Sequence, residues 1–354
     1  MDRKFYIDLA QKGLRMPVGA DLVLREKSDA EDIMLDGRRL GIVVAEAAHR
    51  FNTPLAFPLM DLKIEKSALG TALGIDSAEL DTFHFTEAPT QEQFDRVRSW
   101  FETSATPRMA ASGDALAYVA ENTDLIPVGM SIGPFSLMTK LLADPITAIY
   151  MAGLGTSAAE DPEVAAVEAC LSLAEMVILN SLAYQQSKGA KAVFICEPAA
   201  NVAFLSPKQL EDGADIFERY VMQPNLRLKA SLDELGMDLI FHNCGELVDM
   251  MVKEFTRLDP VILSLGSSRI LWEDSKLVSK SIVLYGNLPT KKFYSDELVS
   301  VDQAVELACE LIEKMKATGH PFILGSECDV LSVEGCETSI RTKVSAFMNC
   351  SCHP

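Results

Sequence analysis

From about residue 125 the chain alternates between short apolar runs and longer stretches of helical spacing, and that rhythm restricts its fold more than anything else in it. The short runs are Ile126 to Met130, Ala192 to Cys196, Asp238 to His242, Val261 to Leu265, Ile282 to Tyr285 and Phe322 to Gly325. Between and after them, helices are expected from Gly133, over Asp161 to Lys188, from Ser206 to about Leu235, and over Glu246 to Phe255, Val301 to Thr318 and Gly335 to Phe347. Strand followed by helix, repeated, means parallel strands joined by crossovers. Two earlier runs, Pro17 to Leu24 and Thr53 to Leu59, complete a set of eight. The expected fold is α/β, a (β/α)8 TIM barrel, with one domain over residues 1–354. Residues 1–15 and Leu35 to Arg50 read as helices. The short charged pieces over 71–120, with helices at Thr90 to Phe101 and Gly113 to Asn122, read as N-terminal helical decoration of the barrel mouth.

In such a barrel, chemistry sits just past the carboxyl ends of the strands. Asp61, Glu197, His242, Cys244, Asn287 and Cys328 all fall there. The most informative stretch is Leu239-Ile240-Phe241-His242-Asn243-Cys244-Gly245. Period 2 sets His242 and Cys244 on one side of an extended chain. Cys328, in Phe322-Ile323-Leu324-Gly325-Ser326-Glu327-Cys328, closes a three-ligand set. One imidazole and two thiolates suit Zn2+ and leave a coordination position open. The bland alternative is two buried thiols and a core histidine.

The formal charge of −19 argues against nucleic acid and anionic membranes as partners. No run of 18 or more uninterrupted apolar residues argues for a transmembrane helix. Met1-Asp2-Arg3-Lys4-Phe5 has no apolar signal core behind it, so a cytoplasmic location is expected. In a reducing compartment the eight cysteines are expected as thiols or metal ligands, not disulfides.

His242-Asn243-Cys244 with Cys328, together with Gly133-Pro134-Phe135-Ser136-Leu137, Leu205-Ser206-Pro207, Gly286-Asn287-Leu288-Pro289 and Gly325-Ser326-Glu327-Cys328, resembles the uroporphyrinogen decarboxylase superfamily. Within it, the His-x-Cys and distant Cys look most like the zinc-dependent methyltransferases that use a methylated corrinoid protein, such as the methylcobamide:coenzyme M enzymes. The resemblance implies a methyl donor carried on a partner corrinoid protein and a small thiol acceptor, coenzyme M or homocysteine. No Asp-x-His-x-x-Gly corrinoid motif occurs here, in keeping with a separate carrier. The Arg-rich stretch of the decarboxylases is replaced by Gly19-Ala20-Asp21-Leu22-Val23-Leu24-Arg25, whereas Asp61, nine residues before Gly70, matches their tetrapyrrole-holding aspartate. A tetrapyrrole decarboxylase centred on Asp61 and a non-catalytic corrinoid or tetrapyrrole carrier are the alternatives.

Glu197, closing Phe194-Ile195-Cys196-Glu197-Pro198, has two functional readings, a weak fourth ligand or an acid/base beside the metal; the plain one is a strand-end carboxylate paired with a cation. Glu327 is a weaker candidate of the same kind. Asp61 is either a ligand contact at the barrel mouth or a helix N-cap. Asn287 either orients a substrate or ties a loop. Cys350-Ser351-Cys352-His353 also has soft-ligand spacing, at a chain end where fraying is common. Cys170, Cys196, Cys309 and Cys336 read as thiols without a site.

Overall fold

A computed structural model describes residues 1–352. It contains eight parallel strands: β1 (Arg15–Val18), β2 (Leu55–Ala56), β3 (Ile126–Ile132), β4 (Ala192–Cys196), β5 (Asp238–Asn243), β6 (Ile262–Leu265), β7 (Val283–Leu288) and β8 (Phe322–Asp329). Their order around the sheet is β1-β8-β7-β6-β5-β4-β3-β2. This is the expected α/β fold of TIM-barrel type. Its seam lies between the two short strands β1 and β2; among the described residues no ladder joins them, and Thr53 Oγ1 meets Met16 Sδ across it at 3.2 Å.

Two apolar layers follow from strand alternation. Val128, Phe194, Ile240, Ile262, Val283 and Ile323 fill the interior, while Val193, Ile195, Leu239, Phe241, Leu263, Leu284 and Leu324 face the surrounding helices. The first helix, Arg3–Gln11, closes the amino end of the barrel. Its Tyr6 joins the interior cluster and donates to Asp238 at 2.8 Å, and Arg3 donates to the carbonyls of Asp259, Pro260 and Ser281. Of the decoration expected over 71–120, helices Gln91–Thr103 and Pro107–Asn122 are present, and a helix not expected, Ile64–Leu73, precedes them, all between β2 and β3.

Three expectations need correction. The first strand is Arg15–Val18, not Pro17 to Leu24, and Ala20–Leu24 is a helical turn. Every residue of 20–24 is buried, so hydrophobic periodicity could not separate strand from helix there. The helix expected from Ser206 to Leu235 is broken into Pro207–Glu211, a π-helical turn Glu218–Met222 and an α-helix Gln223–Leu235. The interruption falls at 212–215, where Gly213 takes φ +87°, and Pro224, lacking an N–H, accounts only for the π-helical widening just before it. Finally, Cys309 and Cys352 form a disulfide with Cα atoms 5.2 Å apart, where free thiols were expected. The helices Val301–Thr318 and Glu337–Asn349 pack together, which brings close two residues 43 apart in sequence.

Helix Pro162–Ser187 is long and apolar enough to cross a membrane by length and composition. Over half of its apolar window, 56 %, is buried within this fold, as for a core helix.

Behind the sheet, Glu65 is buried with Ser131 Oγ and Ser181 Oγ on one carboxylate oxygen at 2.8 and 3.2 Å and no partner on the other. Burial pushes its pKa from 4.5 up to about 7, against the pull of the two hydroxyls. The fold therefore favours the protonated form. That contribution is full below the unfolded value and is lost as pH rises through about 7. Glu65→Gln should remove the dependence. Denaturant unfolding at pH 5 and pH 8 should show the variant gaining on the wild type by up to about 3 kcal/mol at the higher pH.

Candidate metal centre

The interior row of the barrel runs across neighbouring strands. Cys196 pairs with His242, and His242 with Ser264. The His242 ring is held from two sides: Phe194 stacks on it at 5.1 Å between centroids, and Ser264 Oγ lies 2.8 Å from Nδ1. That leaves Nε2, which is buried and has no hydrogen-bond partner. A buried polar atom without a partner calls for an explanation, an ion among them.

Cys244 and Cys328 supply one. Their sulfurs and a His242 ring nitrogen all lie within 4.8 Å of one another. The intervening Asn243 points the other way. It donates to the Glu197 and Ala200 carbonyls at 2.6 and 2.9 Å and accepts from Gly245 N at 2.8 Å. It thereby fixes the turn that presents Cys244. Gly266 closes the other side; a Cβ there would lie 2.8 Å from the Cys244 backbone, so the approach needs glycine.

The two sulfurs share protons unequally. A hydrogen bond from Cys328 holds the Cys244 thiol well below its ordinary value, with His242 assisting and burial opposing. The bond to Cys244 and burial drive Cys328 the other way. Lys291 stands over the pair. Burial works to lower its pKa, but Cys244, Cys328 and Glu327 outweigh that and keep it raised. The imidazole and the two sulfurs form a donor set that fits a borderline-soft divalent ion, and the Lys291 ammonium stands beside it as a counter-charge to the sulfurs. Beside it a cavity of about 240 Å3 is lined by Met60, Lys291, Tyr294, Cys328 and Asp329, among others. Cys328 Sγ is 3.8 Å from Met60 Sδ.

The other sequence-derived candidates sit elsewhere or are already engaged. Glu197 is fully buried, and its carboxylate accepts from Phe135 N at 3.0 Å, Ser136 N at 2.8 Å and Asn225 Nδ2 at 3.0 Å. It caps helix Pro134–Leu141, which has no side-chain cap of its own, instead of joining the sulfurs or pairing with a cation. Burial raises its pKa, opposed by these donors. Gly133 makes room for it; a Cβ there would lie 2.2 Å from its carboxyl carbon. Asp61 is neither free at the mouth nor a helix N-cap. It accepts from Arg108 Nε at 2.9 Å and from Lys63 N at 3.2 Å, and Lys63 is the N-cap of helix Ile64–Leu73. Asn287 spends its amide on the Gly266 and Arg269 carbonyls, both at 2.8 Å, which is the loop-tying reading. Glu327 accepts from Ser267 Oγ at 2.6 Å.

Sequence reasoning missed Lys291 and Ser264. Lys291 lies just past Gly286-Asn287-Leu288-Pro289, at a strand end where a cation merits attention. Ser264 carries no signal of its own until strand register places it opposite His242.

The sequence pattern of the family described as "Uroporphyrinogen decarboxylase (URO-D)" matches residues 18–344. Comparison with curated proteins finds no match. Among solved structures, one described as "methyltransferase from Methanosarcina mazei" superposes with a TM-score of 0.67, covering 98% of each chain at 14% identity. That likeness is one of fold. The family match spans nearly the whole barrel, and the chain belongs to the uroporphyrinogen decarboxylase (URO-D) family.

Proposed function

We propose that this protein is a zinc-dependent methyltransferase that moves a methyl group from a methylated corrinoid protein to a small thiol such as coenzyme M or homocysteine. The observation that carries the reading is the His242 ring, with a nitrogen within 4.8 Å of the Cys244 and Cys328 sulfurs and with its buried Nε2 lacking any hydrogen-bond partner. Membership of the URO-D family and the fold shared with a protein named a methyltransferase support it.

His242, Cys244 and Cys328 would hold the zinc, with one position left for the acceptor. Zinc held there supplies a thiol made thiolate, and so nucleophilic, at neutral pH. The chain does the rest. Ser264 and Phe194 keep the His242 ring aimed at the two sulfurs. Lys291 offers positive charge to the anionic tail of an acceptor lodged beside Cys328. The open end of the strands is where a corrinoid carrier would dock, bringing its methyl group over the acceptor sulfur.

Purified protein, methylcobalamin and either thiol should yield the methyl thioether, with zinc present at about one per chain. Absence of both product and zinc would refute the reading. Two variants test the parts. Ser264→Ala loosens the ring and should weaken zinc binding roughly 10–100-fold in a chelator competition, the usual effect of losing such a partner. Lys291→Ala should raise KM for coenzyme M about tenfold, near 1.4 kcal/mol, and leave KM for the uncharged 2-mercaptoethanol unchanged.

A further inference from the structure

A second group of sulfurs converges far from His242. Cys309 comes from helix Val301–Thr318, and Cys350 and Cys352 follow helix Glu337–Asn349. Cys350 Sγ lies 3.6 Å from Cys352 Sγ and 4.0 Å from Cys309 Sγ, and the three sulfurs fall within one ligand-sized cluster. All three residues are half-buried. Arg15, which opens β1, places Nη1 3.1 Å from Cys350 Sγ and 2.8 Å from the Cys350 carbonyl. Arg15 pairs with Leu324, four residues before Cys328 on β8, so the two groups are separated by about 13 Å of strand.

We propose that Cys309, Cys350 and Cys352 form a second site for a soft divalent metal such as zinc, and that the Cys309–Cys352 disulfide is its oxidised, metal-free form.

The distances suit a metal. Tetrahedral zinc with Zn–S of about 2.3 Å sets its sulfurs roughly 3.8 Å apart. The two non-bonded separations, 3.6 and 4.0 Å, lie on either side of that value. Only the bonded pair is too close, and breaking its bond lets those sulfurs relax outward. Reduction by a dithiol delivers two electrons and two protons to the Cys309–Cys352 bond, and the dithiol leaves as its own disulfide. Zn2+ then displaces three thiol protons, one from each cysteine. Three thiolates on Zn2+ carry a net charge of −1, and the Arg15 guanidinium beside Cys350 neutralises it. The site ties two C-terminal helices to the first strand, so metal bound there stabilises the barrel wall next to its seam.

The test counts zinc in chelator-treated, re-loaded protein, anaerobically, with and without a phosphine reductant. Cys350 is outside the disulfide, so Cys350→Ser keeps that bond, and its oxidised form should unfold at the wild-type temperature. Under reduction, wild type should hold about one zinc more than Cys350→Ser, and without reductant the two should be equal. Repeating the pair in a Cys328→Ser background separates this site from the His242 centre, because the difference of about one zinc should persist there. Zinc should also raise the Tm of reduced wild type and not that of reduced Cys350→Ser. Equal zinc in both reduced proteins, or disulfide exchange onto Cys350 without metal uptake, would overturn the proposal.

Discussion

On the proposed zinc-methyltransferase reading, His242→Ala and Cys328→Ser should each strip the protein of zinc at the barrel mouth and abolish methyl transfer to thiol, while the barrel stays folded. The expectation rests on ligand arithmetic. Losing an outer partner of a metal ligand already costs 10–100-fold in affinity, so losing one of three direct ligands should cost more than about 100-fold. The fold should survive because the centre lies at the strand ends, whereas the interior is filled by residues such as Phe194, Ile240 and Ile262. Removing His242 also removes the ring that Phe194 stacks on, so a loss of about 1–3 kcal/mol in unfolding free energy is expected for that variant. Elemental analysis beside circular dichroism measures both quantities. Zinc retained at wild-type level in both variants would place the metal elsewhere.

Glu197→Ala should be among the most destabilising single changes in the chain, at about 4 kcal/mol. The carboxylate is the acceptor for two helix N-terminal N–H groups and for Asn225, all in a dry environment. Losing a helix cap costs about 1–2 kcal/mol, and each buried donor left alone adds about 1–3 kcal/mol. Glu197→Gln keeps one acceptor oxygen and should lose less. The same variant separates the structural role from the one read from sequence. If Glu197 only anchors the helix, Glu197→Gln keeps its zinc and its pH–rate profile. A metal-side acid/base would instead show as an altered profile at unchanged stability.

The barrel was legible in sequence because parallel strands buried on both faces leave short continuous apolar runs, and the crossovers leave long amphipathic ones. The reading failed where burial erased periodicity, at Ala20–Leu24, and where Gly213, at φ +87°, turned the chain out of an otherwise helical stretch. The His242, Cys244 and Cys328 set was legible because imidazole and thiolates at strand ends have few structural uses together. Glu197, Asp61 and Asn287 were harder. Carboxylates and amides serve caps, ion pairs and loops as readily as ligands, and the partners that settle the matter, Phe135 and Ser136, Arg108, Gly266 and Arg269, lie distant in sequence. The Cys309–Cys352 bond was invisible for the same reason.

Cys328 draws the boundary most sharply. By itself the sequence determined which residue types are available at which strand ends, since period 2 and the strand–helix rhythm are local properties of the backbone. Local alternation does not determine the direction in which Cys328 points. Ile323 faces the interior and Leu324 the helices, so strict alternation would turn Cys328 outward, away from His242. Between Met16 and Val18 of β1, however, the partner on β8 jumps from Gly325 to Asp329. That irregularity re-aims the end of β8 and brings Cys328 round to Cys244. It arises where Pro17, which has no N–H to give the ladder, lies against β8. A register shift between two strands some 300 residues apart in sequence is a property of their pairing, and only the tertiary structure decided it.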